Sequence, residues 1–171
     1  EIKDKKTGET YEESYDDLVI ATGSSPLVPP IPGIDGPDIH TLWTIPDTDQ
    51  IKQVLVEKKP RRAAVIGGGF IGLEMAENLI HAGVKTTLLQ RGDHAGGEVT
   101  LIEMQNQVMA PLDPEMAELL HENLTANGVR LVLGDGVSSF ERKNGHTVIR
   151  LGSGKTVEAD LVLLSIGVRP N

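Results

Sequence analysis

The residues of this chain best suited to binding chemistry form the run Gly67-Gly68-Gly69-Phe70-Ile71-Gly72, which has the spacing G-x-G-x-x-G. The run follows an apolar strand pattern at 61–66 and opens a helical pattern at 70–81. In that setting the first glycine permits a tight turn, the second lets a pyrophosphate approach, and the third lets helix and strand pack closely. Free N–H groups at the helix start would then bind the phosphates. We predict a dinucleotide site; a glycine turn without a ligand is the alternative.

The residue that ends the second strand of such a unit, about 20 residues past the glycines, contacts the adenosine ribose. The chain offers two such strands, because HAGVKTTLLQRGD from His81 is followed directly by the similar run HAGGEVTLIEMQN. The first copy ends at Gln90 and Arg91, which can accept the 2′-phosphate of NADPH. The second ends at Glu103, which would bind the ribose hydroxyls of NADH and repel that phosphate.

We expect the first copy, 84–90, to be the core strand, because it follows the helix directly. The link 91–97 is too short for a parallel crossover, which needs a dozen or more residues. The second copy, 97–103, could therefore form an antiparallel hairpin with the first. The alternatives are that one copy loops out, or that 84–106 exchanges between molecules in a domain swap. NADH versus NADPH stays open at this point.

The elements before the glycine run begin with a hairpin that turns at Gly8. The apolar run Asp17–Ala21 is predicted to be a buried strand. Residues 24–48 hold six of the ten prolines, so they form a connector that packs on a surface rather than a helix or central strand. A short helix with Asp47 as its N-cap follows.

After the repeat, Asp113 and Pro114 open another helix, and an antiparallel meander turns at Asn144-Gly145. The closing run DLVLLSIG is predicted to be a central parallel strand. Together these elements predict an α/β fold: a Rossmann-like three-layer β/β/α domain with a parallel sheet and a small antiparallel meander.

Composition restricts the classes of function. The 171-residue chain carries a net charge of −9, which disfavours nucleic acid or an anionic membrane as its main partner. It contains no cysteine, and its five histidines lack metal-ligand spacing, so we predict no metal site. No apolar run approaches the roughly 18 residues of a membrane span and no signal peptide is evident. The absence of cysteine favours a cytoplasmic location, which we predict.

Three runs resemble the pyridine nucleotide-disulphide oxidoreductase family, and in particular its coenzyme A-disulphide reductase and NADH oxidase or peroxidase branch. They are YDDLVIATGSSPLVPPIPG, AAVIGGGFIGLEMAENL and ADLVLLSIGVRPN. In that family an NAD(P)H domain is inserted into an FAD domain. The resemblance implies that 1–60 is a flank of the parent FAD domain plus the connector, 61–166 is the NAD(P)H-binding domain, and 167–171 begins the return to the FAD domain.

The same resemblance implies a function. In the parent enzyme this domain would hold NAD(P)H so that hydride passes to FAD. Most of the FAD site, the redox-active cysteine and the dimerisation domain are missing from the sequence, so we expect a fragment with no catalytic residue and no turnover alone. A free-standing dinucleotide-binding or sensor domain is the alternative. The electron acceptor (disulphide, peroxide or oxygen) and the oligomeric state stay open.

Individual residues also match the family's motifs. Phe70 matches the aromatic residue that gates the nicotinamide pocket; the alternative is a core aromatic. Glu74 matches the helix glutamate near the nicotinamide; the alternative is an ordinary surface residue. Ile166 and Gly167 match the strand end whose backbone borders the carboxamide.

Overall fold

The structure, a computed structural model, describes residues 1–84 and 98–171. Its elements in chain order are β1 (Ile2–Lys3), β2 (Thr10–Tyr11), β3 (Ser24–Pro26), β4 (Ile39–Thr41), α1 (Ile45–Glu57), β5 (Arg62–Ile66), α2 (Phe70–His81), β6 (Glu98–Ile102), α3 (Pro114–Ala126), β7 (Val129–Val132), β8 (Val137–Lys143), β9 (His146–Leu151), β10 (Thr156–Ala159), β11 (Leu161–Leu164) and β12 (Val168–Pro170).

The central sheet of the described residues has five parallel strands in the order β4-β11-β5-β6-β7. The middle strand β5 pairs Ala64 with Val162 on one side and with Thr100 on the other. Both faces of this strand are covered, which is why it is a continuous apolar run rather than an alternating one. The predicted central position of the closing strand β11, between β4 and β5, is confirmed.

Alternate side chains of the sheet enter two separate cores. On β5, Ala63 and Val65 pack with buried residues of α1 and α2, whereas Ala64 and Ile66 pack with Phe140 and other buried residues of β8–β10. The helices therefore cover one face of the sheet and the antiparallel meander β10-β9-β8 covers the other. The predicted three-layer β/β/α arrangement is confirmed.

The local signals of the meander and the first hairpin are also confirmed. Asn144 and Gly145 both have positive φ angles, of 52° and 85°, as the tight turn between β8 and β9 requires. Gly8 has a φ of 78° and lies in the turn between β1 and β2, which pair antiparallel.

The second copy of the repeat, not the first, provides the strand beside β5. The strand beside β5 is β6, Glu98–Ile102, which belongs to the second copy of the repeat. Since β11 occupies the other edge of β5, both hydrogen-bonding edges of the middle strand are taken. The prediction that the first copy is the core strand is therefore wrong. Apart from Val84, that copy lies outside the described residues.

The apolar run Asp17–Ala21 also departs from prediction. It is not a strand, and Leu18, Val19 and Ile20 are all strongly exposed. Hydrophobicity alone suggested burial, but no other described part of the chain packs over this run.

One predicted helix start is shifted by three residues, and another is confirmed. Thr44, not Asp47, is the N-cap of α1, and Asp47 is the N3 partner of a capping box: its carboxylate accepts from the Thr44 N–H at 2.7 Å. The hydrogen bonds from the Thr44 backbone and side chain lower the pKa of Asp47.

Ala82 is the C-cap of α2, and Gly83 follows it with a φ of 86°. Asp113 is the N-cap of α3, as predicted, with Pro114 as its first residue.

The second half of the connector and the helix α1 that continues from it contribute to the sheet and its core. The edge strand β4 pairs parallel with β11, and α1 buries Ile51 and Val54 on the helix-covered face. The domain boundaries at 60/61 and 166/167 stay predictions, but residues 39–57 are structurally part of the same sheet and core.

Asp38, directly before β4, links three elements. Its side chain is almost fully buried and pairs with the Lys58 ammonium at 3.3 Å and with the Arg142 guanidinium. Lys58 is the C-cap of α1 and Arg142 lies on β8, so this carboxylate joins the edge of the sheet to both covering layers.

No helix within residues 1–84 and 98–171 is long and apolar enough to cross a membrane. In the same ranges, no three His, Cys, Asp or Glu side chains come together as a set of metal ligands.

Candidate functional site

The candidate site lies where the carboxyl ends of β5, β6 and β11 meet. Gly67 follows β5 directly, Glu103 follows β6, and Ser165 and Ile166 follow β11. In open parallel sheets, ligands bind in the crevice beyond the carboxyl ends of the strands. The topology thus brings together residues that are up to about 100 positions apart in the chain.

Two glycines of the run are fixed by close backbone approach. Gly67 has a φ of 107° and donates its N–H to the Ile102 carbonyl at 2.8 Å. A Cβ on Gly67 would overlap the Ser165 carbonyl, and a Cβ on Gly72 would overlap the Gly67 carbonyl. Glycine is therefore required at both positions for the strand, the turn and α2 to pack as they do.

Gly69, the second glycine of the motif, is free of such constraint. Gly69 is the N-cap of α2, and a Cβ built there meets no described atom within 4 Å. No side chain in the described ranges caps the helix. The first N–H groups of a helix have no partner within the helix, so this open end presents donors and the positive end of the helix dipole to an anion.

Glu103 lies directly beside the glycine turn. Its Oε2 accepts the Gly68 N–H at 2.7 Å, and its Oε1 accepts the Gln105 N–H at 2.7 Å. Its own N–H is bonded to the Val132 carbonyl on β7, so the backbone that carries the carboxylate is fixed. A carboxylate has about four acceptor positions, so each oxygen retains one for a ligand hydroxyl.

Phe70 and Glu74 occupy successive turns of α2. Phe70 is 74% exposed, so the alternative that it is a core aromatic is wrong. Glu74 is also exposed. Both line a groove of about 690 Å³ between α2 and α3, whose apolar lining includes Leu73 and Leu124.

Ile166 and Gly167 lie on the β11 side of the turn. Ile166 is half-buried against the core beneath the meander, and its Cα would lie 3.2 Å from a Cβ on Gly67. Gly167 is exposed with a φ of 112°, and its carbonyl accepts the Leu27 N–H at 2.9 Å. The backbone at this strand end therefore borders the glycine turn.

Of the predicted site residues, the structure gathers the glycine run, Glu103 and Ile166 around one turn, and Gly167 follows directly. Gln90 and Arg91 lie outside the described residues. Sequence reasoning missed Val108, Met109 and His121: Met109 donates its N–H to the Gly68 carbonyl at 2.8 Å, and Val108 donates its N–H to the His121 imidazole at 3.1 Å. Met109 has a positive φ, which no sequence pattern indicates for a methionine.

A parallel sheet covered by helices on one face, with a glycine turn leading from its middle strand into an open helix start, defines a Rossmann-type α/β domain. The family model described as pyridine nucleotide-disulphide oxidoreductase matches residues 1–171. The chain belongs to that family.

Relatives agree with the branch that the sequence resembles. The NADH oxidase of Methanocaldococcus jannaschii is 34% identical over 167 residues, covering 97% of this chain and 34% of the relative. The solved structure of reduced Bacillus anthracis CoADR-RHD has a TM-score of 0.80 and 47% identity, covering 99% of this chain and 28% of that one.

A third relative has been solved with nucleotides bound. The water-forming NADH oxidase of Lactobacillus brevis, bound to NADH, has a TM-score of 0.75 and 32% identity, covering 99% of this chain and 34% of that one. Its engineered NADPH oxidase form was solved with NADPH and carries five substitutions, which include an Asp-to-Ala change followed directly by an Ala-to-Arg change.

The chain spans only part of the length of the curated relatives it matches, namely 37%, 34% and 35% of three of them.

Proposed function

We propose that this chain is the NAD(P)H-binding domain of an FAD-dependent oxidoreductase, and that it orients the nicotinamide for hydride transfer to the flavin of the parent enzyme. The observation that carries the proposal is the uncapped start of α2 at the glycine turn, with the Glu103 carboxylate beside it. Hydride chemistry is supplied by the nicotinamide and the flavin, whereas the protein supplies binding, orientation and electrostatics.

The pyrophosphate would lie over Gly69. This position is open, and the helix N-terminus behind it attracts negative charge. A bulkier turn would hold the phosphates away from the N–H groups, so the lack of a side chain at Gly69 has a direct use in binding.

The adenosine ribose would lie against Glu103, whose free acceptor positions suit two hydroxyl donors. A 2′-phosphate at the same place would meet a carboxylate of like charge. We therefore propose that the chain prefers NADH to NADPH, with Glu103 rather than Gln90 and Arg91 as the ribose-contacting residue.

The nicotinamide end would lie toward Phe70, Glu74 and the backbone of Ile166 and Gly167. The exposure of Phe70, Glu74 and Gly167 supports this assignment, since these residues are accessible to a ligand or to a further domain. The exposed apolar side chains of Leu18, Val19 and Ile20 are expected to be covered by the FAD domain of the parent enzyme. A cytoplasmic location and self-association through 84–106 remain predictions.

The Gly69→Asp variant is expected to lose at least about 100-fold in NADH affinity while keeping its fold, because a carboxylate at the N-cap repels the pyrophosphate but stabilises a helix. Calorimetry with NADH and NADPH on the unaltered chain and the variant checks this, with thermal melting as the test of folding. Gly69→Asn is the matched control: it has the same shape without the charge and should lose less. An unaltered chain that binds neither nucleotide at millimolar concentration would rule out the proposed function for this chain.

Deletion of 85–97 tests which copy of the repeat contacts the nucleotide. Lys85 and Glu98 hold equivalent positions in the two copies, so the deletion joins Val84 to β6 in the register of a single repeat. Because β6 and Glu103 are retained, we expect NADH affinity to change by less than about twofold, and the closure entropy of a shorter connection to have a small effect on stability. Loss of NADH binding in a folded deletion variant would instead assign the ribose contact to Gln90 and Arg91.

A further inference from the structure

We propose that His121 is a positioning residue for the nucleotide site, acting through the backbone of Val108 and Met109 on the glycine turn. This inference rests on the proposed function, since it concerns the same turn. His121 itself lies on α3 and is separated from the turn by the segment that connects β6 to that helix.

The connection consists of two consecutive backbone N–H groups. The Val108 N–H donates to His121 Nε2 at 3.1 Å, and the next N–H, that of Met109, donates to the Gly68 carbonyl at 2.8 Å. Neither residue is free to move independently: Val108 is fully buried, and Met109 is nearly so and has a φ of 51°. A side chain on α3 thus determines the position of the donor that binds the glycine turn.

The imidazole is held in one orientation. Its Nε2 accepts from a backbone N–H, so the proton of the neutral ring is assigned to Nδ1, which lies 3.0 Å from the Glu118 carboxylate. The His121 side chain is 13% exposed, whereas that of Glu118 is largely exposed. Glu118 therefore fixes the tautomer that makes Nε2 an acceptor, as carboxylates do for other functional histidines.

The consequence for the nucleotide follows from peptide geometry. Gly68 is bonded on both sides: its N–H goes to Glu103 at 2.7 Å and its carbonyl to Met109. The peptide that joins Gly68 to Gly69 is planar and trans, so a carbonyl fixed toward Met109 fixes the Gly69 N–H in the opposite direction. That N–H belongs to the set that the proposed function assigns to the pyrophosphate. His121 thereby orients a phosphate donor that it does not touch.

The experiment compares NADH dissociation constants, by calorimetry on the full chain, for His121→Leu, His121→Gln and His121→Asn. The Leu side chain cannot accept the Val108 N–H, and we expect the dissociation constant to rise roughly five- to tenfold, the range for one hydrogen bond lost from a binding-competent turn. The Gln side chain places an oxygen close to the position of Nε2 and should restore affinity to within about twofold. The Asn side chain is too short to reach Val108 and should behave like Leu.

Two controls separate positioning from a general effect on α3. Thr125→Val removes the hydroxyl that donates to the His121 backbone carbonyl at 2.7 Å, without touching the imidazole, and should leave NADH affinity unchanged. Amide hydrogen exchange should become faster at Val108 and Met109 in the Leu and Asn variants but not in the Gln variant. If His121→Leu fails to fold, the comparison of Gln with Asn answers the same question.

The outcomes distinguish the two proposals. If the unaltered chain does not bind NADH, the proposed function fails. If the unaltered chain binds NADH but the folded Leu or Asn variant binds equally well, or Gln fails to restore affinity, the positioning role of His121 is overturned. A rise in the dissociation constant for Leu and Asn together with rescue by Gln supports it, because loss of helix stability alone would not be reversed by one side chain that reaches Val108.

Discussion

The double variant Glu103→Ala, Met104→Arg is expected to bind NADPH more tightly than NADH, reversing the preference that we propose for the unaltered chain. Removing the carboxylate takes away the acceptors for the ribose hydroxyls and the repulsion of a 2′-phosphate. Met104 is exposed and adjacent, so an arginine there can reach a phosphate placed near Glu103. Each change in a charged hydrogen bond amounts to about 1.5–3 kcal/mol, or roughly 10- to 150-fold in affinity.

The measurement is the ratio of dissociation constants for NADH and NADPH in each variant. Met104→Arg alone should improve NADPH binding only slightly, because Glu103 remains. Glu103→Gln keeps an acceptor for the Gly68 N–H while removing the charge. It therefore separates the effect of charge repulsion on NADPH affinity from the effect of losing the contact between residue 103 and Gly68. An unchanged ratio in the folded double variant would contradict the assignment of Glu103.

The Asp38→Ala variant is expected to lose about 2–4 kcal/mol in free energy of unfolding, because removal of a buried carboxylate leaves two cations without their shared partner. The loss is expected in the lower part of that range, because the side chains of Lys58 and Arg142 are about half exposed and water can solvate them once the carboxylate is gone. For a chain of this size the loss corresponds to a fall in melting temperature of roughly 5–12 °C. The effect is large because Asp38 joins the sheet edge to α1 and to the meander.

Glu141→Ala is the matched control for Asp38. Glu141 pairs with Arg150 at 2.8 Å on the surface of the meander, where both side chains are about half exposed. An exposed pair contributes at most about 1 kcal/mol. A fall in stability of equal size for the two variants would show that burial of Asp38 has no special effect.

The pH of the melting experiment matters because of His40. Burial lowers the pKa of its imidazole, Lys58 acts in the same direction, and Asp38 opposes them. The unfolded chain therefore binds a proton more readily than the folded chain as pH falls below about 6.5, so stability decreases toward acid pH. Removing Asp38 takes away the opposing influence. At pH 7.5 or above His40 is neutral in both the unaltered chain and Asp38→Ala, so the difference in their free energies of unfolding reports the contribution of the carboxylate.

The sequence was sufficient for the layers of the fold and for most of the glycine turn. Apolar runs, glycines and turn pairs are local signals, and β5, α2 and the meander follow them closely. The choice between the repeated strands was not local. Both copies have strand patterns, and the core position of β6 coincides with long-range contacts: the hydrogen bonds of Glu103 to Gly68 and Val132, and the burial of Val108 and Met109 further along.

The other differences between prediction and structure also arise from contacts between residues far apart in the chain. Asp17–Ala21 is apolar enough for a buried strand, yet burial requires a partner surface that the run itself cannot specify. His121 gave no signal, because a lone histidine in a helix has many structural roles and its acceptor contact depends on the backbone of Val108. The capping box at Thr44 and Asp47 was readable in principle from the spacing of Thr and Asp.

One carboxylate in this domain has two duties. Glu103 accepts the Gly68 N–H, and it is also the group that we assign to the ribose. A lineage that exchanged this residue to accept a phosphorylated nucleotide would weaken its own phosphate turn in the same step. On the assignment that we propose, a change of cofactor preference at this position is expected to be accompanied by further substitutions that restore the stability of the turn.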